Sequence, residues 1–323
     1  DSSTSRGLGD VYKRQLLISS IIILVFILII LYLGIKLFVT GNKIYKPLDK
    51  SEDEIADNRK NLKHKKPLTI ALFGVDSNEE RKRSNIGQRS DSIIILSINP
   101  NKNKTVMLSI PRDTQAEIVG KGSKEKIAHA YAYGGPNMSV KSLEKFLDIS
   151  IDHYATIDMD GLKNIIDDLG GINVESNATF QFDGKKFNKG QKTHVNGDEA
   201  MKFIRSRKQE GAGGDFGRQE RQQLVLKAIS NKMSKVSSIP HINSIMSSIQ
   251  KNVRTDLKIS EMNSIRKDYK NANKNVNKLQ LDGRGAIQQD GLYYFIPKKD
   301  SKQDAVNNCL LYTSDAADDM QCV

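Results

Sequence analysis

Ser92–Ile110 reads SIIILSINPNKNKTVMLSI: two apolar runs, Ser92–Ile98 and Thr105–Ile110, parted by the polar stretch Asn99–Lys104. Short runs rich in Ile and Leu and bounded by Asn and Pro are the pattern of buried strands, and the polar break between them predicts a hairpin. Leu68–Gly74 (LTIALFG) is a third run of the same kind. Continuous rather than alternating apolar character predicts strands covered on both faces.

Helical periods follow. Ser139–Leu147 sets Val140, Leu143 and Leu147 on one face, and Gly161–Leu169 does the same with Leu162, Ile165, Ile166 and Leu169. Ile151–Ile157 and Ile172–Val174 read as strands between and after them, Asp198–Ile204 as a short helix, and Gly217–Met233 as a long one. Lys278–Leu281 and Leu292–Ile296 are expected as edge strands. The alternation predicts one α/β domain over residues 67–297, a central mixed sheet flanked by helices.

The chain of 323 residues is 38% hydrophobic and 27% charged, which excludes a disordered protein or a mini-protein. Leu16–Ile35 (LLISSIIILVFILIILYLGI) carries no charge over 20 residues, the length an α-helix needs to cross a bilayer. It exceeds a signal-peptide core and no small-residue cleavage site follows it, so residues 16–39 are expected to form a single-pass membrane anchor. Lysines on both sides leave its orientation open. Residues 40–66 are polar and charged and are expected to form a stalk. Residues 1–15 and 311–323 do not continue the pattern beside them; residues 1–15 are expected to be a non-native or cytoplasmic segment and residues 298–323 a disordered or non-native tail, and both are set apart from the fold. The only cysteines, Cys309 and Cys322, lie in that tail, so no disulfide framework or Cys-based metal site is expected. A formal charge of +12 points to a polyanionic partner without naming it.

Three constellations carry chemistry. Asp76 closes one expected strand and Asp91, in Arg89-Ser90-Asp91, opens the next; two carboxylates at one sheet edge suit Mg²⁺, although Asp also caps turns. Ser109-Ile110-Pro111-Arg112-Asp113 ends the hairpin and places Arg112 in the loop beyond it. Arg205-Ser206-Arg207, the glycines Gly211, Gly213 and Gly214, and Arg218 and Arg221 at the start of the long helix form a basic group suited to phosphate, because Arg binds phosphate bidentately. Ion pairs with Asp215 and Glu220 are the competing explanation for one or two of these. P-loop, nucleophile-elbow and zinc-protease motifs are absent, and the five histidines are scattered.

LFGVDS, RSDSIIILSINP, LSIPRDT, LGGINV, VNGDEAMKFIRSR and GDFGRQERQ, in this order from about Leu68 to Leu226, resemble the LytR-CpsA-Psr family. The resemblance implies a Gram-positive cell-membrane protein whose N-terminus is cytoplasmic and whose catalytic domain is extracellular. It implies transfer of wall teichoic acid or capsular polysaccharide from an undecaprenyl-pyrophosphate carrier to a muramic acid hydroxyl of peptidoglycan, forming a phosphodiester. Asp76 and Asp91 would then hold Mg²⁺ or Mn²⁺, and Arg89, Arg112, Arg205, Arg207, Arg218 and Arg221 would bind the pyrophosphate. Asp91 or Asp113 is the candidate base, and the carrier tail is expected in an apolar slot between sheet and helices. Carrier pyrophosphatase action and a non-catalytic regulator or wall-binding module are the alternatives; a nucleic-acid partner is not expected for a domain outside the membrane.

Overall fold

Leu68–Asp76 (β1), Arg89–Asn99 (β2) and Lys104–Ile110 (β3) form the antiparallel centre of the sheet, with the hairpin at the expected place. A computed structural model describes residues 27–28, 31–76, 88–234 and 242–311. A helix, Glu52–Lys63 (α1), precedes β1. The ribbon Gln115–Glu117 (β4) and Lys124–Lys126 (β5) leads into helix His129–Leu147 (α2). Then come His153–Asp158 (β6), Met159–Asp168 (α3), Ile172–Glu175 (β7), the ribbon Phe180–Phe182 (β8) with Lys185–Phe187 (β9), and Lys192–Val195 (β10). Gly197–Arg205 (α4), Gly214–Ser234 (α5), Ile242–Asn252 (α6), Val253–Thr255 (β11) and Ile259–Asp268 (α7) follow. Asn275–Gln280 (β12), the hairpin Gly283–Ile287 (β13) with Tyr293–Pro297 (β14), and Lys299–Leu311 (α8) complete the described chain.

The main sheet runs β11-β6-β1-β2-β3-β12. β6 pairs with β1, and β12 with β3, in parallel, so the sheet is mixed as expected. On one face Ala71, Phe73, Ile95 and Leu108 pack with Val140, Leu143 and Leu147 of α2. A second core joins α3, α4 and α5 through Met159, Leu162, Phe203 and Val225, and stacks Phe180 on Phe187. The expected strand at Leu292–Ile296 is real but lies outside the main sheet, pairing with β13 and bridging at Phe295 to Thr114.

Two assignments at the ends are corrected. Residues 40–66 are not an extended stalk. Residues 31–44 are helical, Ile44, Leu48 and Leu62 are buried, and the Lys46 amide donates to the Thr255 carbonyl at 2.8 Å. Lys50 Nζ donates to the carbonyls of Ile151 (2.6 Å) and Asp152 (2.9 Å), and Ser51 and Glu54 form a capping box for α1. A few well-placed apolar groups and backbone bonds suffice to dock a segment whose composition is polar. Residues 299–311 of the tail are likewise folded, with Ala305 and Val306 inside the main core. Ending the chain at Lys298 is expected to cost about 2 kcal/mol or more from that lost burial, read as a lower urea midpoint.

Most of the expected anchor lies outside the described residues. Leu31, Ile35 and Phe38 of the helical stretch are exposed, and among the described residues no helix is long and apolar enough to cross a membrane.

Candidate active site

The register of β1 against β2 breaks at one point: Gly74 pairs with Ser92 and Val75 with Ser90, which leaves Asp91 as an extra, bulged residue. A bulge re-aims a side chain out of the alternating pattern. Asp91 Oδ1 accepts a hydrogen bond from Arg112 Nη1 at 2.8 Å. Arg112 follows Pro111 in a loop with little freedom. Thr114 Oγ1 donates to the Pro111 carbonyl at 2.6 Å, and the Ala128 amide to the Arg112 carbonyl at 3.2 Å. Arg112 Nε lies 3.7 Å from Asp113, whose other oxygen is 2.9 Å from Lys126 Nζ on β5.

The start of α5 supplies the opposite wall. Gly211, Gly213 and Gly214 take φ of 75°, 75° and 63°, and a Cβ on Gly211 would lie 2.2 Å from the Thr179 carbonyl oxygen, so this turn needs glycine. It presents Asp215, which holds Arg207 (3.0 Å) and Arg218 (2.6 Å) together. Arg218 Nε is buried with no hydrogen-bond partner among the described residues, a donor available to an anion. Asp91, Arg112, Asp113, Asp215 and Arg218 line one cleft together with the aromatic side chains of Phe216, Tyr293 and Phe295.

The charges are set against one another. Burial weakens the Arg112 cation, but Asp91, Asp113 and Asp215 outweigh it and hold its pKa above the ordinary value. Burial dominates at Arg218 and, with Arg112 and Arg207 nearby, pushes its pKa down despite Asp215. An anion in the cleft would relieve that repulsion.

Behind the cleft lies an apolar slot of about 210 Å³ between the sheet and helices α3 and α5, lined by Leu72, Ile94, Met159, Leu162, Val225 and Leu226 among others. Ser92 and Gln222 line both cavities, and Ser92 Oγ donates to Gln222 Oε1 at 3.0 Å across the junction. One cavity is charged and the next almost wholly hydrocarbon.

The predicted residues separate into groups. Asp91, Arg112, Asp113 and Arg218 come together in the cleft, and Arg89 joins Asp91, Arg112 and Asp113 in an adjoining recess. Arg207 reaches the group through Asp215. Asp76 ends β1 opposite Arg89. Arg205 is not brought in: its side chain is 53% exposed and its nearest carboxylate is Asp160, 3.8 Å away. Arg221 is a correction. It is 0% exposed and its guanidinium gives four of its five N–H donors to the carbonyls of Phe203, Ala212 and Ser206 and to Asn177 Oδ1, so it is enclosed by protein rather than presented to a pyrophosphate. Asp215, expected as an ion-pair partner for one or two of the arginines, takes that place with Arg207 and Arg218; Lys126 and His129 are not singled out by the sequence, because Lys and His within a charged ribbon carry no distinguishing pattern.

Among the described residues no three His, Cys, Asp or Glu side chains gather as a metal cluster. Asp76 and Asp91, at one end of the β1–β2 pair, offer carboxylate oxygens only, the donor set of a hard cation that completes its shell with water and phosphate.

Fold and cavities define the class: an α/β domain in which a cleft lined by paired carboxylates and guanidinium groups shares Ser92 and Gln222 with an apolar slot. A LytR_cpsA_psr family profile matches residues 31–309, and the chain belongs to that family. The polyisoprenyl-teichoic acid–peptidoglycan teichoic acid transferase TagU of Bacillus mycoides (strain KBAB4) is 40% identical over 268 residues, spanning 83% of this chain and 86% of that protein. The structure of a protein described as a transcriptional regulator (EF0465), from Enterococcus faecalis, superposes with a TM-score of 0.68 at 32% identity, covering 78% of this chain and 90% of that one. That of B. subtilis TagV superposes with a TM-score of 0.64 at 34% identity, covering 77% and 98%.

Proposed function

We propose that this chain moves an anionic glycopolymer, wall teichoic acid or capsular polysaccharide, from an undecaprenyl-pyrophosphate carrier to a muramic acid hydroxyl of peptidoglycan, leaving a phosphodiester. The observation that carries the reading is the shared wall of cleft and slot. A lipid pyrophosphate is the ligand with an anion joined directly to a long hydrocarbon tail. Ser92 and Gln222 mark where one part gives way to the other. The name of the Bacillus mycoides relative supports the same donor and acceptor classes.

Arg112 and Arg218 would grip the pyrophosphate oxygens, with Arg89 and Arg207 completing the field. Phosphoryl transfer is mostly positioning and neutralisation of charge, and these guanidinium groups are held in place before substrate arrives. Asp76 and Asp91 would hold Mg²⁺ or Mn²⁺, which supplies charge neutralisation on the leaving lipid phosphate. Residues 16–39 would anchor the chain, with the catalytic domain outside the cell, where peptidoglycan lies.

The test is acceptor-dependent release of lipid monophosphate by the full chain in vesicles carrying the donor. Release is expected to need Mg²⁺ and to stop with EDTA; release at an equal rate without glycan acceptor would favour a pyrophosphatase. Leu226→Trp, which fills part of the slot, is expected to raise KM about tenfold or more for a long polyprenyl donor. A short-chain donor should be affected far less, and equal effects on both would place the tail elsewhere.

A further inference from the structure

We propose that His129, oriented by Glu125, is the general base that takes the proton from the acceptor hydroxyl, and that the acceptor enters by the recess across Asp91 and Arg112 from the lipid slot. The proposal rests on the transfer reading above and adds to it the acceptor side of the reaction.

Glu125 lies on β5 and His129 opens α2. Glu125 Oε2 receives His129 Nδ1 at 2.9 Å and the Tyr133 hydroxyl at 2.7 Å, while its Oε1 receives Ser123 Oγ at 2.8 Å. Burial raises the Glu125 pKa, but these bonds overcome it and hold the group down at about 2. An ionised carboxylate can only accept, so Nδ1 carries the hydrogen and Nε2 of the neutral ring keeps its lone pair. This is how a carboxylate orients a histidine base in hydrolytic triads. The side chains of His129 and Glu125 are 16% and 23% exposed, partly enclosed yet open to a ligand.

The position of the ring gives the direction of attack. His129 lines the recess with Arg89, Asp91, Arg112, Asp113 and Lys126. The recess meets the cleft at Asp91, Arg112 and Asp113, whereas the slot meets it at Ser92 and Gln222. In phosphoryl transfer the attacking and leaving oxygens stand in line on opposite sides of phosphorus. If the carrier departs through the slot, the acceptor must arrive from the recess. The two acids considered from sequence are already engaged there, Asp91 by Arg112 at 2.8 Å and Asp113 by Lys126 at 2.9 Å.

The step balances without any redox partner. The acceptor O–H gives its proton to Nε2 and its oxygen bonds to the sugar-side phosphorus. The bond from that phosphorus to the bridging oxygen breaks, and its electron pair leaves on the lipid monophosphate. Glu125 stabilises the imidazolium until the proton passes to the departing phosphate or to water.

The experiment compares wild type, His129→Gly, His129→Gln and Glu125→Gln as full chains in donor vesicles with a glycan oligomer, recording kcat, donor KM and melting temperature. His129→Gly and His129→Gln are expected to lower kcat by about 10²–10³ with donor KM within about twofold. Added imidazole should restore His129→Gly at least tenfold, by filling the vacated space with a base, and should not help Asp91→Ala. Glu125→Gln should fall between. Wild-type-like kcat in both His129 variants would overturn the proposal. So would a loss that imidazole does not restore, with or without a lower melting temperature, because the role would then be structural. Failure of wild type itself to transfer polymer would bring down the transfer reading and this inference together.

Discussion

Arg112→Lys is expected to leave the domain folded and to lower transfer turnover by about 10²–10³, the usual cost of one preorganised donor at a developing oxyanion. Arg112 meets Asp91 through one nitrogen at 2.8 Å and approaches Asp113 with another at 3.7 Å. Its planar fork is thus aligned before substrate binds. A lysine keeps the charge but presents a single ammonium on a flexible stem. Its loop is fixed by backbone bonds from Ala128 and Ile127, not by the Arg112 side chain, so stability should change little. Steady-state kinetics with a lipid-pyrophosphate donor check the prediction. Turnover within about threefold of wild type would mean that a bare positive charge suffices, and that the fork geometry has no catalytic consequence.

The second large effect concerns stability. Arg221→Met is expected to destabilise the domain by about 3–5 kcal/mol, the cost of leaving several buried acceptors unpaired. Arg221 links the end of α4, the glycine turn and Asn177 by bonds of 2.5 to 3.1 Å, and its guanidinium lies 4.7 Å from the centre of the Phe180 ring. Methionine fills similar volume but satisfies none of those carbonyls. The change should appear as a lower denaturant midpoint, while turnover per folded molecule at low temperature stays near wild type. Wild-type stability with lost donor binding would return Arg221 to the pyrophosphate site.

The contrast between these arginines marks how far the sequence could be read. The strands were legible because Leu68–Gly74 and Ser92–Ile110 are apolar enough that only a sheet covered on both sides can bury them. Asp91 and Arg112 were legible as strand-end residues, but the bulge that brings Asp91 to Arg112 depends on how two strands pair, which neither strand specifies alone. Arg221 was misplaced although a signal existed: Arg221, Val225 and Ala228 stand at i, i+4 and i+7, and all are buried. Arg218, three residues earlier, faces the cleft. The apolar slot was not assignable because its walls come from β1, β2, β6, β11, α3, α4 and α5, and each lining residue looks like ordinary core until the space between them is seen. Residues 40–66 and 299–311 misled for the opposite reason, since a handful of apolar groups docks each of them onto the domain.

The most direct test follows the two phosphorus atoms of the donor. The full chain in vesicles is given a lipid-pyrophosphate polymer labelled in the sugar-side phosphate, together with glycan oligomer and Mg²⁺. The account predicts that the label enters a phosphodiester between polymer and glycan, that the lipid leaves as an unlabelled monophosphate, and that Asp91→Ala abolishes both. Label recovered only in free sugar phosphate, or donor bound without any turnover, would contradict it.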